Sequence, residues 1–249
     1  MTQNKSAKST ILNNVKTFLQ GKKETTNETN KTPYISEANL AKTNKNQSTV
    51  IKSIIEDSIS QQGIQKIIDN FELNPIESLY GQGHWGRVIN NGLKLSQLID
   101  NDNISEKVVV LFGLLHDVKR KNEETHDLDH GYRASQFIQN EMLPYLNITE
   151  DELKELCTAC TIHDRKEKSN NLTIGVCLDA NYLDIPRKGI DIEPSFLNFL
   201  EESTVIQEQA EINAMEQKTP KFISEITKKQ IAENNKHKEI KQFKKKKPV

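Results

Sequence analysis

From Ile51 to Phe71 the apolar residues recur at spacings of three and four: Ile51, Ile54 and Ile55, then Ile64, Ile67, Ile68 and Phe71. That spacing gathers them on one face of a helix, whereas a strand would need them at every second position. The period returns from His84 through Val88, Leu93 and Leu95 to Ile99, and again after Asp127, where Ala134, Phe137 and Ile138 share a face. Val108 to Leu115 is apolar nearly throughout, which predicts a buried helix, with Ser105 suited to cap its start. Thr149, with Glu152 three positions on, forms a capping-box signature. Further helices are expected around Cys177 to Leu183 and after Pro194. No segment sustains period-two alternation and hairpin dipeptides are missing, so the expected fold is all-α, with at least six helices.

Charge divides the chain into three parts. Residues 1–50 carry eight Lys and three Glu, and the stretch from Lys236 onward carries seven Lys and one Glu; the net charge of −1 therefore leaves −12 for the middle. The expected organisation is a disordered Lys/Asn/Thr-rich tail over 1–50, a compact helical domain over 51–205, and a helical extension with a lysine-rich tail over 206–249. Ile11 to Leu19 is expected to form at most a weak amphipathic turn. With 249 residues, 35% of them apolar and 28% charged, one compact core with tails is expected rather than two. Lys244 to Lys247 can meet nucleic acid or an anionic membrane surface, or form a solvated tail, which is the default expectation. Three cysteines within twenty-one positions do not make a secreted disulfide framework. With no signal-peptide core in the first thirty residues and no run of about eighteen apolar residues, the protein is expected to be soluble and cytoplasmic.

The chemistry gathers at helix ends. His116 and Asp117 close the apolar helix and can turn one imidazole nitrogen and one carboxylate oxygen toward a common divalent ion. Alone, such a pair is more often a polar helix end facing water. Its matches are widely spaced: His84 opens an earlier helix, His130 begins a later one, His163 ends the next, and Asp179 lies in a further short helix. Five of the six histidines, all but His237, fall in this middle region, and helical bundles build metal sites from such inward side chains.

The order His84, His116-Asp117, Asp179 resembles the H…HD…D signature of the HD metal-dependent phosphohydrolase superfamily, which is all-helical. The strings Gly83-His84-Trp85-Gly86-Arg87-Val88, His116-Asp117 with Arg120, Asn122 and Glu123, Asp127 to Ala134, and Ala159-Cys160-Thr161-Ile162-His163 are similar to a bacterial subgroup of small stand-alone HD domains. The resemblance spans residues 81–190 and implies that His84, His116, Asp117 and Asp179 hold a first ion. It also implies that His130 and His163 hold a second, with Asp127 competing. One or two divalent ions (Mn, Fe, Co, Mg or Zn) would then activate water against a nucleotide or other small phosphorylated substrate, with Asp117 and Arg120 as catalytic residues. Arg120 would grip phosphate oxygens with its planar fork.

The subgroup's Asp-Ala-Asp-Arg-Leu-Asp reads here Asp179-Ala180-Asn181-Tyr182-Leu183-Asp184, which removes a charge pair expected to orient the ligand. This motivates a second reading, a metal-containing module that binds a nucleotide or partner without turnover. Within the enzyme class a di-iron oxygenase is a third. Cys157, Cys160, His163 and Cys177 form a conceivable zinc set, but two cysteines three apart on a helix more often pack as apolar thiols. Trp85 is expected to pack rather than to stack on a base.

Overall fold

A computed structural model describes residues 37–124, 127–165 and 167–245, with side chains described from residue 48 to residue 239 of these. The described residues form nine α-helices and no strand: α1 Glu37–Ser58, α2 Gln61–Asn70, α3 Gln82–Ile99, α4 Glu106–Leu115, α5 His130–Phe137, α6 Glu150–Ile162, α7 Leu172–Tyr182, α8 Leu200–Met215 and α9 Lys221–Lys245. The all-α expectation holds for all of them. A π-turn over Ile138–Met142 prolongs α5 before a short 3₁₀ turn at Leu143–Tyr145.

The helix starts follow the sequence signals. Ser105 accepts the amide of Val108 at the head of α4, and Thr149 with Glu152 closes a reciprocal capping box on α6. Every residue of α4 from Val108 to Leu115 is buried, and packing each larger side chain contributes roughly 1.5–3 kcal/mol of gross stabilisation. α4 is thus the central helix, flanked by α1, α3, α6 and α7. Close approach needs missing side chains: a Cβ on Gly113 would lie 2.5 Å from Ile89 of α3.

Two expected boundaries move. The helix α1 begins at Glu37, inside the segment expected to be disordered. The boundary expected at 205 falls inside α8, and α9 sends Phe222, Ile223, Ile226 and Ile231 into the common core, so the C-terminal helices belong to the same body. The expected turn at Ile11 to Leu19 lies outside the described residues, as do Lys246 and Lys247. No helix among the described residues is long and apolar enough to cross a membrane.

Candidate metal centre

Four helix ends meet around one carboxylate. His84 lies in the first turn of α3, His116 caps the end of α4, His130 is the first residue of α5, and His163 caps the end of α6. Asp117 sits among them, 2% exposed, with Oδ2 3.3 Å from Nε2 of His84 and 3.2 Å from Nε2 of His116. Its other oxygen, Oδ1, lies 3.0 Å from Nε2 of His130 and 3.8 Å from Nε2 of His163. Two groups that can hold a metal ion result, His84 with His116 and Asp117, and Asp117 with His130 and His163. Asp117 is common to both and offers each a different oxygen.

The tautomers are fixed from behind. Nδ1 of His84 donates to Asp184 at 2.6 Å, Nδ1 of His116 to the Phe112 carbonyl at 2.9 Å, and Nδ1 of His163 to the Cys160 carbonyl at 2.7 Å. Nδ1 of His130 donates to the Asp127 carbonyl. Each ring therefore carries its proton on the outer nitrogen and turns its Nε2 lone pair inward, with Arg187 Nη2 3.3 Å from that of His84 and Arg120 Nη1 3.2 Å from that of His130. Those lone pairs face one another at 3.0 Å between His84 and His116 and 2.9 Å between His130 and His163, distances that need a cation or a proton between them. Oδ1 of Asp117 is buried without a hydrogen-bond partner. An orphaned carboxylate oxygen and paired imidazole lone pairs are the donor set of a divalent ion, so these residues fit one.

Electrostatics agree. Burial pulls the His116 imidazole down to about 4 against the pull of Asp117. Burial pushes the Asp117 carboxyl up, but His116, His130 and His163 outweigh it and hold the group well below the usual range. Burial also opposes charge on His163, yet Asp164 and Asp117 together raise it. Burial and the Arg187 charge lower the His84 imidazole as well, so two of the rings resist protonation beside an ionised Asp117.

Several supporting residues carry no periodic signal in the sequence. Asp164 stands beside the second group, its Oδ2 3.3 Å from Nε2 of His130 and its Oδ1 3.6 Å from Nε2 of His163. A signal existed: His163-Asp164 repeats the His-Asp dipeptide of His116-Asp117, again just past a helix end. Asp184 holds His84 and also takes the Arg87 guanidinium at 2.6 and 3.0 Å, with Arg187 3.5 Å away. Burial pushes the Asp184 carboxyl up, but the His84 hydrogen bond and the guanidinium groups of Arg187 and Arg87 bring it down to about 2. Gly131 lets α5 approach α6, because a Cβ there would lie 2.2 Å from the Cys160 carbonyl and 3.1 Å from the His163 ring.

Three expected assignments change. Asp179 belongs to neither group. Its Oδ1 accepts from the amide and side chain of Asn198, at 2.8 and 2.7 Å, and its Oδ2 from the amide of Phe199 at 2.9 Å and from Ser203 at 3.3 Å. Asp179 therefore ties down the start of α8, and burial pushes its carboxyl up. Asp127 also stands outside both groups, bound to Arg133 at 2.6 Å and to the Lys121 amide at 2.9 Å. Arg120, 1% exposed, gives Nε to the Asn122 carbonyl and Nη2 to the Glu124 carbonyl while its guanidinium lies 3.7 Å from the Tyr80 ring centroid. Only its Nη1 faces the centre, 3.6 Å from Oδ1 of Asp117, so a two-pronged phosphate grip is not available to it. Asp179→Ala is expected to cost about 1–3 kcal/mol of stability through its unsatisfied donors, seen in urea unfolding, and to leave metal content unchanged. A variant that folds as well as the parent but loses metal would return Asp179 to the ligand set.

The three thiols are buried and unlinked, Cys160 and Cys177 pushed well up by burial, while His163 turns to Asp117; no zinc set forms among them. Trp85 is 1% exposed and meets Phe71 edge-on, as packing requires. Tyr182 packs edge-on against Phe196 and accepts the Glu193 amide.

At the rim, Arg187 and Lys188 join Arg120 around Tyr80, their charges 5.3 and 4.8 Å from its ring centroid. Burial, then the neighbouring Arg187, brings the Lys188 ammonium down to about 8. Lys188 has no carboxylate partner among the described residues. Comparison with known proteins returns no matching family model, no matching curated relative and no matching solved structure.

Proposed function

We propose that this chain is a metal-dependent hydrolase of phosphoesters, acting on a nucleotide or another small phosphorylated metabolite. The observation that carries the reading is the shared carboxylate: Asp117 offers one oxygen to His84 and His116 and the other to His130 and His163. The resemblance to HD-type phosphohydrolases through His84, His116-Asp117, His130 and His163 supports it further. Bound there, one or two divalent ions would supply a water of lowered pKa and Lewis acidity toward a phosphoryl oxygen.

The chain's own residues set the rest. Asp184 and the carbonyl oxygens behind the other rings hold each Nε2 inward before any substrate arrives. Arg120 secures the 121–124 turn and adds positive charge beside Asp117. Lys188, a cation without a carboxylate partner among the described residues, is the group free to donate to a phosphate oxygen at the rim. The burial of the centre excludes bulk water and strengthens these charges.

The test is a panel of nucleotides and phosphomonoesters offered to protein purified without chelator, then to chelated protein with Mn, Fe, Co or Mg restored singly. Hydrolysis should disappear with chelator and return with metal. Lys188→Gln should raise KM about 10-fold or more with kcat little changed, as loss of one charge-assisted hydrogen bond predicts. Metal-loaded protein that hydrolyses nothing on the panel would favour the binding module. Product formation that requires oxygen would favour the oxygenase.

A further inference from the structure

One cavity among the described residues lies apart from the metal centre. It encloses about 600 Å³ between α1, α3 and the turn joining α8 to α9, a volume suited to a nucleotide-sized molecule. Its wall carries four cations, Arg87, Lys94, Lys218 and Lys221, with amide side chains such as Asn90 and Asn213, and no acidic residue. In a chain whose middle carries −12, a cavity whose only charged lining residues, among those described, are cations is a marked local reversal.

Lys94 sharpens the point. It projects from α3, is partly buried, and has no ion-pair or hydrogen-bond partner among the described residues. Burial lowers its ammonium with no carboxylate to offset the cost. Lys218 and Lys221 do have carboxylate neighbours, Glu216 and Glu225, but those lie outside the cavity wall. Arg87 spends Nε and one Nη2 proton on Asp184 and one Nη1 proton on the Lys218 carbonyl, which leaves two of its five N–H donors unassigned. The cavity wall also includes Lys221 and Phe222, the first residues of α9, whose backbone amides have no acceptor earlier in the helix.

We propose that this cavity is a second binding site, separate from the metal centre, for a small phosphorylated anion held by Lys94, Lys218, Lys221 and the free donors of Arg87. The site stands independently of the hydrolase reading, because none of these groups belongs to either metal-holding set.

Inorganic pyrophosphate is the probe, titrated calorimetrically into the full chain freed of metal, so that no bound ion offers it an alternative partner. Saturable binding is expected in the parent and in Asp117→Ala. The double variant Lys94→Gln, Lys221→Gln should bind at least 10-fold more weakly, with unchanged helicity by circular dichroism. Lys188→Gln, at the metal-centre rim, should bind as the parent does. Absence of binding in the parent at millimolar pyrophosphate, or binding undiminished in the double variant, would overturn the proposal. Binding lost in Lys188→Gln but retained in the double variant would overturn it too, by moving the anion to the metal centre.

Discussion

Asp117→Asn is expected to disable both halves of the centre at once, lowering bound metal to well under one ion per chain and turnover by about 10³-fold or more. The size follows from sharing. Each of the four imidazoles serves one group, but Asp117 serves both, through different oxygens. His163→Ala, by comparison, should weaken only the group containing His130. Elemental analysis of the two variants checks the difference. Full metal content in Asp117→Asn would show that the imidazoles alone suffice and that the carboxylate is not the bridge.

Asp184→Ala should produce the largest loss of stability at any position near the centre, about 3–5 kcal/mol from a total of the order of 5–15. Asp184 is fully buried and holds three groups: the Nδ1 proton of His84 and the guanidinium groups of Arg87 and Arg187, which are 4% and 8% exposed. Removing it leaves two buried cations without a counter-charge, and water cannot easily reach them. It also frees the His84 ring to turn or change tautomer, for which about a 10–100-fold loss of metal affinity is expected. Urea unfolding of metal-free protein isolates the first effect, and metal titration of the folded variant isolates the second. A midpoint within about 1 kcal/mol of the parent would mean that the two arginines find other acceptors.

The helices were legible because their apolar residues keep a phase. α2 buries Ile64, Ile67 and Ile68, and α4 buries everything from Val108 to Leu115, as the spacing required. The histidines were legible for a related reason: a polar His-Asp pair ending an apolar helix must meet something in the core. Asp179 was misplaced because α7 is buried on all sides from Thr173 to Ala180, so no polar face gave its carboxylate a direction. Asp184, five residues on, was equally available and is the one turned toward His84. Tyr80, Arg187 and Lys188 come from irregular segments, where no period points a side chain anywhere. The start of α1 was missed because composition alone reads Asn- and Lys-rich sequence as unable to offset its ordering entropy.

Divalent ions are proposed to lie against Asp117, beside His84 with His116 and beside His130 with His163. Anomalous diffraction from crystals of the full chain grown with manganese tests this placement directly. The account predicts two peaks, one touching His84 and His116, the other His130 and His163, with an oxygen of Asp117 on each and no peak at Asp179. Crystals saturated with manganese that place no ion against these four imidazoles would contradict it.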